Sequence, residues 1–155
     1  MRDNHSHLKY LSALDPILGN NDTEGTGITI DRLGAESVEF VCQFGISGDT
    51  LAAGLNVKAI LQHGDLANAS DMAFVPDADM IGGLADGAGG ICLIDDPAED
   101  PAAFKVGYKG SKRYLRVFLD FTGTHTNGIP ISALAILGQL RYEGQNSMAL
   151  GATGI

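Results

Sequence analysis

Between residues 103 and 141 apolar side chains recur at every second position in successive runs, a spacing that lines one face of a strand and no single face of a helix. Phe104, Val106 and Tyr108 alternate with Lys105 and Gly107. Leu115, Val117, Leu119 and Phe121 alternate with Tyr114, Arg116, Phe118 and Asp120. The short polar link Lys109-Gly110-Ser111-Lys112 predicts that these two runs form an antiparallel hairpin. After the Asn127-Gly128 turn signal a third strand is expected over 129–137, and its apolar residues on both faces predict burial on both sides.

The rest of the chain reads in the same way. Val38, Phe40, Cys42 and Phe44 alternate with Glu39, Val41 and Gln43, and Leu55, Val57, Ala59 and Leu61 with Asn56, Lys58, Ile60 and Gln62. Strands over 37–45 and 54–63 follow, expected to pair as a second hairpin. A shorter strand is expected at 27–31, with a turn at Leu33-Gly34. At 155 residues with 45% hydrophobic side chains the chain has material for one core. Twenty-one glycines and five prolines favour turns over helices. The expected fold is therefore all-β, an antiparallel β-sandwich or jelly-roll-like domain. Its core is predicted from Val38, Phe40, Phe44, Leu55, Val57, Leu61, Leu115, Val117, Leu119, Phe121 and Ile136.

Three regions stand outside this pattern. Residues 1–20 read as an N-terminal arm, extended rather than helical because Asp15-Pro16 interrupts any helix. Residues 142–155 read as a flexible, glycine-rich tail, leaving 21–141 as the β domain. Within it, 64–102 reads as a long irregular loop with short strands at 72–75 and 90–94. A loop of this length in a small domain is usually functional.

Charge is unevenly distributed. The formal net charge is -9, which disfavours nucleic-acid partners. Residues 59–104 hold Asp65, Asp71, Asp77, Asp79, Asp86, Asp95, Asp96, Glu99 and Asp100 without one lysine or arginine, whereas Lys105, Lys109, Lys112, Arg113 and Arg116 follow without an acid before Asp120. Two readings compete: compensation within the chain, or docking of the two patches, with Asp95, Asp96, Glu99 and Asp100 on the acidic side, against protein neighbours.

Motifs for chemistry are incomplete. Asp77-Ala78-Asp79 begins like a calcium loop, but Ile81 and Ala88 occupy positions where oxygen ligands belong. Gly107-Tyr108-Lys109-Gly110 has the GXXG spacing, yet its flanks read as strands rather than helices. His5, His7, His63 and His125 sit in polar or turn contexts, and no nucleophile, base and orienting group come together. No cofactor and no catalysis are expected. Cys42 and Cys92, in apolar contexts, are expected as buried thiols in a reducing compartment. The polar N-terminus and the absence of any apolar run of about 20 residues predict a soluble, cytoplasmically made protein with no membrane contact.

The segment Val106-Gly107-Tyr108-Lys109-Gly110-Ser111-Lys112-Arg113-Tyr114-Leu115-Arg116-Val117, then Thr122-Gly123-Thr124 and an apolar strand ending Leu137-Gly138, resembles small structural proteins encoded in the head-morphogenesis region of tailed bacteriophages. The resemblance covers about a quarter of the chain directly. It implies a virion component: a decoration or cement protein bridging major capsid subunits on the capsid surface, self-associating, with a trimer the expected form. A head-tail connector or tail component, and a cellular carbohydrate-binding β-sandwich, are the alternative readings. The absence of tryptophan weighs against the last.

Overall fold

The computed structural model describes residues 7–20 and 25–140. In chain order its strands are β1 (Leu8–Gly19), β2 (Gly25–Thr26), β3 (Ile30–Asp31), β4 (Ala35–Phe44), β5 (Asn56–Gly64), β6 (Ala73–Phe74), β7 (Met80–Ile81), β8 (Gly90–Ile94), β9 (Ala102–Tyr108), β10 (Tyr114–Thr122) and β11 (Ile129–Leu140). A single 3-10 turn at Asp77–Asp79 is the one helical element among the described residues. The long strands are those whose sequence alternates. Their inward side chains come from both sheets into one core that includes Phe40, Leu61, Val106, Leu115, Leu119 and Leu137.

Two antiparallel sheets face each other as a β-sandwich. Sheet A runs β1-β11-β4-β9-β7, and sheet B has β10 and β5 at its centre, with β2 and β3 beside β10 and β6 and β8 beside β5. Neither expected hairpin exists. β9 pairs with β4 and β7 in sheet A, while β10 pairs with β5 in sheet B. The 109–113 link therefore crosses between the sheets instead of turning within one, and residues 45–55 do the same between β4 and β5. Closeness in sequence suggests pairing between adjacent runs, but alternation marks a buried face without marking a partner. Crossing over lets each run place its apolar face towards the other's.

Three further expectations change. Leu8–Gly19 is extended, but it is not a projecting arm: it pairs with β11 along most of its length and contributes Ala13 and Leu14 to the core. β11 alternates instead of being buried on both sides. Ile129, Ile131, Ala133, Ala135 and Leu137 face inward, and Leu134 is 44% exposed on the outer face with Ile136 half-buried beside it. Of the expected core, Ile136 is thus on the wrong face, Leu55 is half-buried, and the others are buried. The expected tail, 142–155, lies outside the described residues.

The strand buried on both faces is β5, and the acidic stretch is the reason. Val75 donates its amide to the Leu61 carbonyl (3.0 Å) and Gly89 accepts the Leu61 amide (2.7 Å), so the stretches around 73–75 and 89 lie along β5, while Met80–Ile81 between them pairs with β9 of sheet A. Phe74 meets Phe118 there with ring centroids 6.2 Å apart, and Ile60 and Phe118 become buried although they point away from the main core. The loop covers part of sheet B with Phe74, adds β7 to sheet A and sends Val75 and Met80 into the core, with short strands at 73–74 and 90–94 close to where the sequence places them. Sheet A has no such cover among the described residues.

Candidate interaction surfaces

The basic residues do not form one patch. Lys105 and Arg116 point outward from opposite sheets, Lys105 on β9 and Arg116 on β10. Lys112 pairs with Asp65, and Arg113 makes a two-pronged contact with Asp31 (2.9 and 2.6 Å) while its guanidinium lies 5.0 Å from the Tyr114 ring centre. That guanidinium holds the Asp31 carboxyl below its ordinary range. Arg116 donates to Gln62 across the β5–β10 pair (2.7 Å). Lys112 and Arg113 are thus paired with acids of the same chain, whereas Arg116 is held by a neutral amide. Lys105 and Lys109 have no ion pair with a described residue.

Most of the acidic side chains are occupied locally as well. Asp86 pairs with Lys58 (2.5 Å) and accepts the Ala88 and Gly90 amides, and Asp77 accepts the Gly87 amide. Asp71 accepts the amides of Asp65 and Leu66, which hold its carboxyl below the usual range. Glu99 accepts the Asp95 and Asp96 amides, Asp96 accepts that of Ala98, and Asp100 accepts that of Ser47 (2.6 Å). Carboxylates used this way replace missing backbone partners in turns. Among the described residues no three His, Cys, Asp or Glu converge as a metal site would require.

Two connections missed by sequence reasoning hold the loops in place. Arg32 donates to the carbonyls of Lys112 (2.6 Å) and Gly110 (2.9 Å) and lies over the Tyr108 ring (5.3 Å), fixing the link between the sheets. The Tyr108 hydroxyl accepts the Lys112 amide (3.0 Å) and lies 2.9 Å from His63 Nδ1, joining β9 of one sheet to β5 of the other. Burial pushes the His63 ring below its ordinary value and Tyr108 above its own. At the opposite end Asp49 accepts the amides of Asn127 and Gly128 (each 2.9 Å at Oδ2). Only the Asn127-Gly128 turn signal pointed to this clasp. Cys42 and Cys92 are buried thiols, pushed up to about 12 by that burial.

What remains for recognition lies on two surfaces. The first is at one end of sheet A, where Pro16, Ile17, Pro101 and Pro130 line a shallow cleft with Phe44 and Gly45. Leu18, paired with Pro130, is 55% exposed, and Ile46, next to the Gly45 that bonds Pro130 from the other side, is 69% exposed. The Asp100–Ser47 bond places the 95–100 loop, with Asp95, Asp96 and Glu99, along this apolar end. The second is the outer face of sheet A. A groove of about 780 Å³ there is lined by Leu8, Ile136, Ile81 and Gly107 together with Glu39 and Lys105.

No family model matches the chain, and no curated protein matches it. Fourteen chains of solved structures do. They include the CBM22-1 and GH10 modules of the Clostridium thermocellum endo-1,4-beta-D-xylanase 10B in complex with xylohexaose, at 14% identity and TM-score 0.39 over 90% of this chain. A structure of the Gx strain of infectious bursal disease virus is similar at 14% identity and TM-score 0.37 over 88% of this chain. The xylan-binding module CBM15 is similar at 15% identity and TM-score 0.28, covering 90% of this chain and 95% of that module. This chain spans 27% of the xylanase chain and 33% of the viral one. Likenesses this distant carry no functional argument.

Proposed function

We propose that this chain is a structural virion protein that decorates and stabilises a tailed-phage capsid by bridging major capsid subunits on the capsid surface. It acts by contact, without catalysis or cofactor, and its partners are proteins rather than nucleic acid or membrane. The observation that carries this reading is the exposed apolar end of sheet A. Pro16, Pro101 and Pro130 lose little conformational freedom when covered, Leu18 and Ile46 supply side chains to bury, and the acidic 95–100 loop supplies a polar rim. The resemblance of residues 106–138 to phage head-region proteins supports the setting.

A connector or tail component would use the same surface at a different address, so copy number separates the two. Quantitative mass spectrometry of purified particles is expected to give on the order of hundreds of copies, as repetition over a symmetric shell requires, whereas about a dozen would identify a connector. Leu18→Asp with Ile46→Asp, both at exposed positions, is expected to leave a folded protein that no longer decorates capsids. Undiminished decoration by that variant would refute the assigned surface. Absence from particles would refute the virion reading. The carbohydrate-binding alternative is less favoured because Tyr108, the aromatic lining the sheet A groove, is buried with its hydroxyl engaged, which leaves the single ring of Tyr10, 40% exposed beside Ile136, rather than an aromatic platform among the described residues of that face.

A further inference from the structure

The outer face of sheet A is a second protein-sized surface, and it is self-complementary. Strands β4 and β9 place four outward residues at the corners of a quadrilateral, with Glu39 opposite Gly107 and Val41 opposite Lys105. Glu39 and Lys105 occupy one diagonal, about 7 Å long in an antiparallel pair, and Val41 and Gly107 occupy the other. Neither charge is ion-paired with a described residue. Apolar side chains continue the face on either side. Ile136 and Leu134 of β11 lie beside Glu39 and Val41, and Ile81, 62% exposed, lies beside Gly107.

A two-fold axis lying in this face along the Val41–Gly107 diagonal exchanges the ends of the other diagonal. Glu39 of one copy then sits over Lys105 of the second, and Lys105 of the first over Glu39 of the second. Gly107 and Val41 meet their own symmetry mates, so small and apolar groups occupy the axis and no like charges meet there. An isologous interface needs this kind of self-matching, and the reciprocal charges fix its register. A partner of one charge sign fits less well, because acids (Glu36, Glu39) and bases (Lys105, Lys109) line the same groove.

The geometry points to a two-fold dimer of this chain through the outer faces of sheet A, centred on Val41 and Gly107 and registered by two Glu39–Lys105 pairs. This goes beyond capsid decoration, uses the middle of sheet A's outer face rather than its apolar end, and differs from the trimer expected on resemblance. Four strand spacings of about 4.8 Å by a length of about 20 Å give a buried total on the order of 800 Å². The contact is therefore weak and reversible.

Sedimentation velocity of the full chain between about 1 and 500 μM tests it. The wild-type protein is expected to pass reversibly from monomer to dimer, and less readily as salt rises. Glu39→Lys and Lys105→Glu each place like charges in both pairs, and each alone is expected to weaken association at least about tenfold. An equimolar mixture of the two variants restores opposite charges in both pairs and is expected to recover a heterodimer. Both substitutions lie on the outer face, and circular dichroism verifies that each variant is folded. A monomeric wild type throughout the range overturns the proposal. So does association that survives both single reversals, or a mixture that associates no better than its components.

Discussion

Asp49 shows how a single carboxylate can hold two distant stretches of chain. Its bonds to the Asn127 and Gly128 amides join the 45–55 crossover to the turn before β11, and Gly128 meets them with φ of +77°, a conformation costly for any side chain but glycine. The Gly128 amide, followed by the Asn127 amide and side chain, holds the Asp49 carboxyl below its ordinary value of 3.8 against the effect of burial. A depressed carboxylate stabilises the fold above the unfolded-state value, and that contribution is lost as pH falls through the folded-state value. Asp49→Asn is therefore expected to lower the melting temperature at pH 7, with the gap to wild type closing below about pH 4. A gap that is independent of pH would mean that the clasp works through shape rather than charge. None of this was visible in the sequence beyond the Asn-Gly turn, because a hydrogen bond across 78 positions leaves no local pattern.

Elements were legible where their side chains alternate. β4, β5, β9, β10 and β11 stand close to where the spacing of Phe40, Leu61, Val106, Leu119 and Ile131 puts them. Their partners were not legible, since Tyr108 and Leu115 face one core from opposite sheets, as they would also do from adjacent strands of one sheet. Charge partners were illegible for a related reason. Lys112 and Arg113 are near neighbours in sequence to Lys105, but their ion partners, Asp65 and Asp31, arrive from elsewhere in the fold.

The short strand expected over 27–31 forms at Ile30–Asp31, and the residues before it serve another purpose. Gly27 donates its amide to Val117 of sheet B (2.8 Å), and Ile28 donates to Ala13 of sheet A (2.8 Å), so this pair stitches the two sheets together along one margin. A Cβ on Gly27 would stand 2.3 Å from the Ala13 carbonyl oxygen and 3.0 Å from that of Val117. Both obstacles are backbone, which cannot rotate aside. Gly27→Ala is accordingly expected to cost about 1–3 kcal/mol, read as a lower urea midpoint at unchanged slope. A midpoint within error of wild type would show that this margin opens freely.

At the scale of the whole molecule, β1 settles what the terminal segment is for. An arm could be removed without harm to the domain, but removal of residues 1–19 would take Ala13 and Leu14 from the core and leave β11 as a bare edge. Such an edge is a template for pairing with other chains. The truncated protein is expected to be unfolded or aggregated, assayed by circular dichroism and light scattering. A monomeric, cooperatively melting truncation would restore the arm interpretation. The bridging role proposed here needs no arm, because the apolar surface at Pro16, Ile17 and Leu18 belongs to β1 itself.

The position of β11 between β1 and β4 also dictates when this protein can fold. Leu8–Gly19 is made before every other described strand, yet its ladder partner is the last of them. Until Ile129–Leu140 has been made, β1 has no neighbour, β4 lacks one of its two, and sheet A is split in half. Because nearly all the extensive pairings join residues far apart in sequence, little of the sandwich can be stable early, and folding belongs to the slow regime of high contact order, typically milliseconds to seconds. Sheet A can therefore be completed only once β11 has emerged, and until then the nascent chain carries apolar strands with open edges.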